Sequence, residues 1–202
     1  MVIELAHDTF IKNRRAFILH QKLCDFFPDF EVSVLDVGCG DGSVASHLSK
    51  SKTNLKITGI DPLVRKATAI PVTKFDGGAI PFASDTFDFC LFVDVLHHAA
   101  DPFSLLKESV RVARRGVIIK DHIVQGILAR QTLKFMDDTH NRRYGVSLPY
   151  NYWTPVEWEM AFRKLGLKAS KYDSRLKLYP SWADWIFGRK LHFLGLFEKF
   201  GS

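Results

Sequence analysis

The run Val34-Leu35-Asp36-Val37-Gly38-Cys39-Gly40-Asp41-Gly42-Ser43 constrains the fold of this chain more than any other stretch. A β-branched, apolar segment that passes through an acidic residue into alternating glycines reads as a buried strand turning sharply into a helix. Glycine suits such a turn because it reaches backbone conformations closed to other residues and lets a ligand approach the main chain. A helix starting near Gly42 offers unpaired N–H groups and the positive end of its dipole to whatever sits in the turn. The expected occupant is small and polar. A dinucleotide fingerprint needs G-x-G-x-x-G, and its third glycine falls where this chain has Ser43, which tells against NAD.

At 202 residues, with 47% hydrophobic and 25% charged residues, the chain has the make-up of a single globular domain, residues 1–202. Its formal net charge of +6 favours anionic partners in general. Lys and Arg come in ones and twos (Arg14-Arg15, Arg114-Arg115, Arg142-Arg143) with acidic residues between them, so the charge reads as a mixed, solvated surface rather than a nucleic-acid face. Cys24, Cys39 and Cys90 form no C-x-x-C pair and have no histidine at zinc spacing, so reduced thiols in a cytoplasmic protein, and no metal, are expected. No signal peptide is evident, and no stretch has the uninterrupted apolar length of a spanning helix.

Along the chain, apolar residues at helical spacing from Asp8 to Phe27 predict an N-terminal helix within residues 1–29, stopped by Pro28. Asn13, Arg14 or Arg15 of this helix is placed to reach over a ligand pocket. Strands are expected at Leu55–Ile60, Pro71–Phe75, Phe87–Val93 and Gly116–Lys120, with helices from Val44 and from Asp101-Pro102 between them. Strands that alternate with helical patterns point to a parallel sheet. Asp61, Asp76, Asp94 and Asp121 each follow a strand directly, and the first strand carries Asp36 near its end. Ligands of open α/β sheets bind at that carboxyl edge, so this row of acids is read as a polar site.

Residues 125–153 lose the pattern, apart from a short helix expected at Ile127–Met136, and are read as a lid. Thr154-Pro155-Val156-Glu157 is a capping box opening the next helix. Two last strands, Lys168–Leu178 and Lys190–Phe197, flank an aromatic hairpin segment at 180–189 with Trp182, Trp185 and Phe187, which packs in the hairpin, forms a dimer contact or touches a membrane surface. The oligomeric state, monomer or homodimer, stays open.

VLDVGCGDGS, then ITGIDP, KFDGGAIPF and FDFCLFVDVLHH, in this order and spacing, resemble the class I S-adenosylmethionine-dependent methyltransferases, most closely the type 11 group that includes quinone-biosynthesis C-methyltransferases. The resemblance covers roughly residues 30–125. It implies an α/β, Rossmann-like, seven-stranded and mostly parallel sheet with helices on both faces and the lid before the sixth strand. It also implies S-adenosylmethionine as cofactor. Gly38, Gly40 and Gly42 would pass under its methionine portion, with Cys39 and Asp41 in the same loop, and Asp36 would orient the turn. Asp61 would accept from the ribose hydroxyls, Pro62 and Leu63 pack on adenine, and Asp76 and Gly77 meet the adenine edge. Asp94 and Val95 would line the amino-acid end. Carboxylates are strong acceptors for hydroxyl, amine and ammonium donors, and an acidic edge suits a sulfonium cation better than a pyrophosphate.

Methyl transfer from a sulfonium is an in-line displacement in which placement supplies much of the acceleration, and a base is needed only if the acceptor must lose a proton. His97 or His98 is the first candidate base, at most one of them facing the pocket because adjacent helical residues diverge, and His122 beside Asp121 is the second; His140 and Tyr144 are weaker. The basic and aromatic lid residues (Arg130, Lys134, Arg142, Arg143, Tyr144, Tyr150, Tyr152, Trp153) suggest a small aromatic or amphiphilic acceptor. A cofactor-binding protein without transfer activity and an RNA methyltransferase are the alternatives.

Overall fold

The computed structural model describes residues 2–141, 148–188 and 190–200, with side chains for all of these but 2–13, 140, 141, 182 and 185. Arg142, Arg143 and Tyr144 of the expected lid lie outside the described residues, as do the side chains of Asn13, His140, Trp182 and Trp185.

Strand β1 (Val32–Val37) shows why this chain builds a two-sided sheet. With a side-chain period of two, Leu35 and Val37 enter the core on one face, Val32 and Val34 on the other. β4 (Phe87–Val93) and β5 (Ala113–His122) divide their apolar residues likewise, Cys90, Phe92, Val117 and Ile119 against Phe89, Leu91 and Ile118. Strands buried on both faces read as continuous apolar runs, as these do.

With β2 (Leu55–Asp61), β3 (Val72–Lys74), β6 (Leu167–Asp173) and β7 (His192–Lys199), they form one seven-stranded sheet ordered β3-β2-β1-β4-β5-β7-β6. β1 runs parallel to β2 and β4, β2 to β3 and β4 to β5, while β7 is antiparallel to β5 and β6. The strand order reverses between β1 and β4, which opens a crevice at their carboxyl ends.

Helices α1 (Val2–Phe26) and α2 (Ser43–Ser51) cover one face through Leu19, Leu23, Phe26 and Leu48. Helices α3 (Pro102–Val112) and α5 (Pro155–Lys164) cover the other through Leu105, Leu106, Trp158 and Ala161. Asp101 caps α3 by accepting from Ser104 N–H at 3.0 Å, with Pro102 at the first helical position. The Thr154–Glu157 capping box opens α5 as expected.

Several boundaries differ from the sequence expectation. β5 continues beyond Lys120 through Asp121 and His122, because antiparallel pairing with Phe193 and His192 takes both residues into the sheet. β6 ends at Asp173 rather than Leu178, where the Asp173 carboxylate accepts from Arg175 N–H at 2.7 Å and turns the chain. The segment expected as a hairpin tip is helical, a short turn at Ser181–Ala183 running into a π-turn at Asp184–Gly188. Within the expected lid, helix α4 runs Ala129–Asn141, longer than the predicted Ile127–Met136.

Gly116 marks where β5 and β7 approach most closely. A Cβ there would lie 2.8 Å from Glu198 Cα and closer still to the Phe197 carbonyl oxygen. Backbone cannot give way as a side-chain tip can, so Gly116→Ala is expected to destabilise the fold by on the order of 3 kcal/mol, the upper range for overpacking. Chemical denaturation checks this; a cost under about 1 kcal/mol would show that the strands separate easily.

Candidate functional site

At the crevice the chain leaves β1 through Gly38, Gly40 and Gly42 with φ of 71°, 61° and 73°. A Cβ on Gly38 would sit 2.6 Å from Val95 Cγ1, whereas one on Gly40 would meet nothing within 4 Å. Packing and backbone sign thus both demand glycine at 38, and at 40 the main chain stays open to a ligand. Gly38 and Cys39 N–H donate to the Ile60 carbonyl at 2.8 and 3.2 Å, which ties the turn to β2. Asp61, at the end of β2, accepts from Gly40 N–H at 2.8 Å and from Leu63 N–H at 2.7 Å, so its carboxylate is fixed before any ligand arrives. Of the N–H groups expected to be open at the start of α2, that of Ser43 is taken, since it donates to Asp41 Oδ1 at 2.9 Å.

A cavity of about 540 Å³ fills the crevice. Gly38, Gly40, Asp61 and Pro62 line it from the first two strands, Asp76 and Gly77 from the loop after β3, and Asp94, Val95 and His98 from the segment after β4. Leu63 and Arg65 complete one wall, Ala99 and Ala100 another. Asp76 also accepts from Gly78 N–H at 2.8 Å, so a turn and a cavity wall share one carboxylate. Asp36, Cys39 and Asp41 are not part of this lining; Asp36 is buried, Cys39 half-buried and Asp41 exposed. Burial pushes the Cys39 thiol up to about 12, with the Asp36 and Asp61 charges adding to it, which makes it a packing group.

Burial, then the neighbouring Asp61, pushes the Asp36 carboxyl up from 3.8 to about 7. The unfolded chain loses this proton near 3.8 and the folded chain keeps it to about 7. The contribution to stability is therefore complete below pH 3.8 and lost as pH rises through about 7. Asp36→Asn is expected to match the wild type near pH 4 and to exceed it by on the order of 4 kcal/mol at pH 8. Denaturation at the two pH values measures this; equal stability at pH 8 would mean that the buried carboxylate is compensated.

Asp94 ends β4 with φ of 57°, a left-handed turn that an aspartate tolerates. It accepts from Lys120 Nζ and, at 3.0 Å, from Arg15 Nη2. Lys120 is fully buried in β5. Burial would raise the Asp94 carboxyl; Lys120, His122 and Arg15 together outweigh it and hold it well below the ordinary range. Arg15 therefore reaches the pocket from α1 as the sequence suggested, but through Asp94.

Of the three histidines expected to be catalytic, His98 lines the cavity and His97 and His122 stand behind it. His97 and His98 do not diverge as expected for neighbours on a helix, because they lie on a single 3-10 turn, and their rings are 3.9 Å apart. His97 Nδ1 is 2.5 Å from Asp121 Oδ1, and Asp121 also accepts from Leu96 N–H at 2.9 Å and His122 N–H at 2.7 Å. His97 Nε2 lies 3.4 Å from Asp137 Oδ2 of α4, and Asp137 accepts from the Tyr152 hydroxyl. Burial would lower the His97 imidazole; the Asp121 and Asp137 carboxylates overturn this and hold it up to about 10. His98 is pushed down to about 4 by burial and by His97. Lys120, Asp137 and Tyr152 were missed as members of this network. The only sequence signal for them was a lysine inside an apolar strand and the paired acids Asp137-Asp138 in the lid.

Residues 35–119 match a family described as a methyltransferase domain. An uncharacterised methyltransferase of Mycobacterium sp. (strain JLS) is 34% identical over 91 residues, 42% of this chain and 35% of that protein. Ajmaline N-methyltransferase of Rauvolfia serpentina is 29% identical over 132 residues, 57% of this chain and 45% of that one. The chain spans about a third of the length of the mycobacterial relatives it matches. Among solved structures, a Haloferax volcanii putative methyltransferase in complex with the activator Trm112 superposes with a TM-score of 0.66 over 96% of this chain and 95% of that chain at 18% identity. The [4+2]-cyclase SpnF gives 0.66 over 90% and 79% at 17% identity.

The donor set at the crevice fits S-adenosylmethionine, with open glycine backbone at one end and carboxylates at Asp61, Asp76 and Asp94 to meet hydroxyl, amine and ammonium groups. Over residues 35–119, less than half of its length, the chain is similar to a methyltransferase domain, and its strand order is that of the Rossmann-like, seven-stranded sheet shared by the solved structures it superposes on.

Proposed function

We propose that this chain transfers the methyl group of S-adenosylmethionine to a small-molecule acceptor, aromatic or amphiphilic in character. The observation that carries the reading is Asp61, pinned by the Gly40 and Leu63 N–H groups so that its carboxylate lines the cavity. When bound, the cofactor supplies an electrophilic methyl on a sulfonium. Gly38 and Gly40 would hold its amino-acid end, with Asp36, Cys39 and Asp41 shaping the turn. Asp61, Pro62, Asp76 and Gly77 would hold the nucleoside, and Asp94 and Val95 would stand between the two halves of the site. His98, Ala99 and Ala100 form the wall on which an acceptor would rest.

Tyr152 is buried and Asn151 is tied down, its N–H donating to the His97 carbonyl at 3.1 Å and its Nδ2 to the Ala99 carbonyl at 2.8 Å. The described part of the lid is thus fastened to the wall that would face the acceptor, which supports a closed, small-molecule site over an open nucleic-acid groove.

The test is formation of S-adenosylhomocysteine with methyl-labelled cofactor and a panel of phenolic, amine and amphiphilic acceptors, with bulk RNA as a separate arm. Acceptor-dependent product is expected in the small-molecule arm. Label entering RNA alone would replace this reading by the RNA methyltransferase, and tight cofactor binding with no product in either arm would favour a binding protein, as the existence of a cyclase on the same fold allows.

A further inference from the structure

The geometry points to a site for one divalent transition-metal ion in the wall beside the cavity, held by His97 Nε2, Asp137 Oδ2 and a ring nitrogen of His98. One donor atom from each of these three residues lies within 4.8 Å of the other two. His97 Nε2 is buried and lacks a hydrogen bond of good geometry, although Asp137 Oδ2 is only 3.4 Å away. Zinc ligands at about 2.0–2.1 Å in tetrahedral directions stand roughly 3.3 Å apart, so this pair has the separation of two ligands on one ion. The other ring nitrogen of His97 faces Asp121 Oδ1 at 2.5 Å. A metal-bound histidine almost always donates its second N–H to a carboxylate in this way, which fixes the ring and frees the opposite nitrogen for the ion. Tyr152 donates its hydroxyl to the same Asp137 Oδ2, which orients the carboxylate and leaves that oxygen a second lone pair for the ion.

A second grouping, His97, Asp121 and His122, also lies within 4.8 Å. There the 2.5 Å separation of His97 Nδ1 and Asp121 Oδ1 is a hydrogen bond, too short for two donors sharing an ion. The choice between the groupings therefore rests on distance. Two imidazoles with one carboxylate select a borderline ion such as Zn²⁺, Co²⁺ or Fe²⁺ over Mg²⁺, which prefers oxygen throughout. The proposal departs from the sequence expectation of no metal, because its ligands come from a histidine pair after β4 and an aspartate in α4, far apart in sequence.

His98 belongs both to this grouping and to the cavity lining, so the ion would lie at the wall where an acceptor rests. That use rests on the methyl-transfer reading: an acceptor hydroxyl bound to the ion would give its proton to water more readily, and its oxygen would take the methyl as the cofactor's carbon–sulfur bond breaks and S-adenosylhomocysteine leaves, without a histidine base. The site itself stands on the side chains alone.

The test uses full-length protein stripped with chelator and desalted, titrated with Zn²⁺ by equilibrium dialysis and with Co²⁺ by its visible absorption, with Mg²⁺ as control. One Zn²⁺ or Co²⁺ per chain is expected, with the absorption of a nitrogen–oxygen site and no Mg²⁺ binding at the same concentration. His98→Ala and Asp137→Asn, each removing a ligand, are expected to lose more than the roughly 100-fold in affinity that loss of a supporting group costs at most. Thermal melting and S-adenosylhomocysteine binding of both variants report whether they fold. Folded wild-type protein that binds no stoichiometric ion, or ion binding that survives both substitutions, overturns the site. Cofactor binding that persists in that case leaves the methyltransferase reading standing, so the two failures are separable.

Discussion

Asp61→Ala is expected to weaken S-adenosylhomocysteine binding by about 3 kcal/mol, roughly 100-fold, measured by calorimetry. Asp61 contributes in two ways. Its carboxylate offers acceptor positions to two ribose hydroxyls, and charged hydrogen bonds are worth about 1.5–3 kcal/mol each. It also holds the site together, since Gly40 N–H at 2.8 Å and Leu63 N–H at 2.7 Å both end on it. Removing it therefore loosens the glycine turn as well as the nucleoside contact. Asp61→Asn separates the two contributions, because the amide keeps an oxygen for one backbone N–H but loses the charge. Its affinity should fall between those of wild type and alanine, with a melting temperature near that of wild type. Unchanged affinity in a folded Asp61→Ala protein would refute the assignment of Asp61 to the ribose.

The cofactor half of the site was legible because it is local. Strand, glycine turn and the acid ending each strand are contiguous in sequence, and a parallel sheet places those ends on one edge by construction. Gly38, Asp61, Asp76 and Asp94 accordingly meet around one cavity. Asp41 shows the limit of such reading: its side chain turns back to Ser43 N–H, a local competition that spacing does not reveal.

The histidine half was only partly legible because its partners come from elsewhere. Asp137 arrives from α4, Tyr152 from the segment after it and Arg15 from α1. The distinction between His97 and His98 likewise needed the 3-10 turn that holds both rings together. Antiparallel pairing of β5 with β7 also decided a matter that propensity could not. It drew Asp121 and His122 into the sheet beyond Lys120, so that two polar residues that read as following the strand become part of the interior.

That interior charge carries the largest expected effect on stability. Lys120 is fully buried, its register partner on β4 is Val93, and its ammonium meets the next residue, Asp94. An isolated ammonium in such a place would deprotonate or disrupt the fold, and burial does lower the Lys120 pKa, with Asp94 opposing the shift. Lys120→Met keeps the volume of the stem and removes the charge. Asp94 is left with Arg15 at 3.0 Å as its remaining cationic hydrogen-bond partner, and breaking a buried pair from one side costs about 3–5 kcal/mol. Chemical denaturation is expected to show a loss of that size. Adding Asp94→Asn to Lys120→Met removes the stranded carboxylate but leaves Arg15 without its partner, so only part of the loss should be recovered. The pH dependence follows the same logic. In the wild type the Asp94 contribution is present above the ordinary carboxylate value of 3.8 and is lost only as pH falls below it. With Lys120 gone, the folded value rises and the acid loss begins at higher pH. A Lys120→Met protein as stable as wild type, with an unmoved acid limb, would show that Arg15 alone holds Asp94 and that the buried lysine is dispensable to the site.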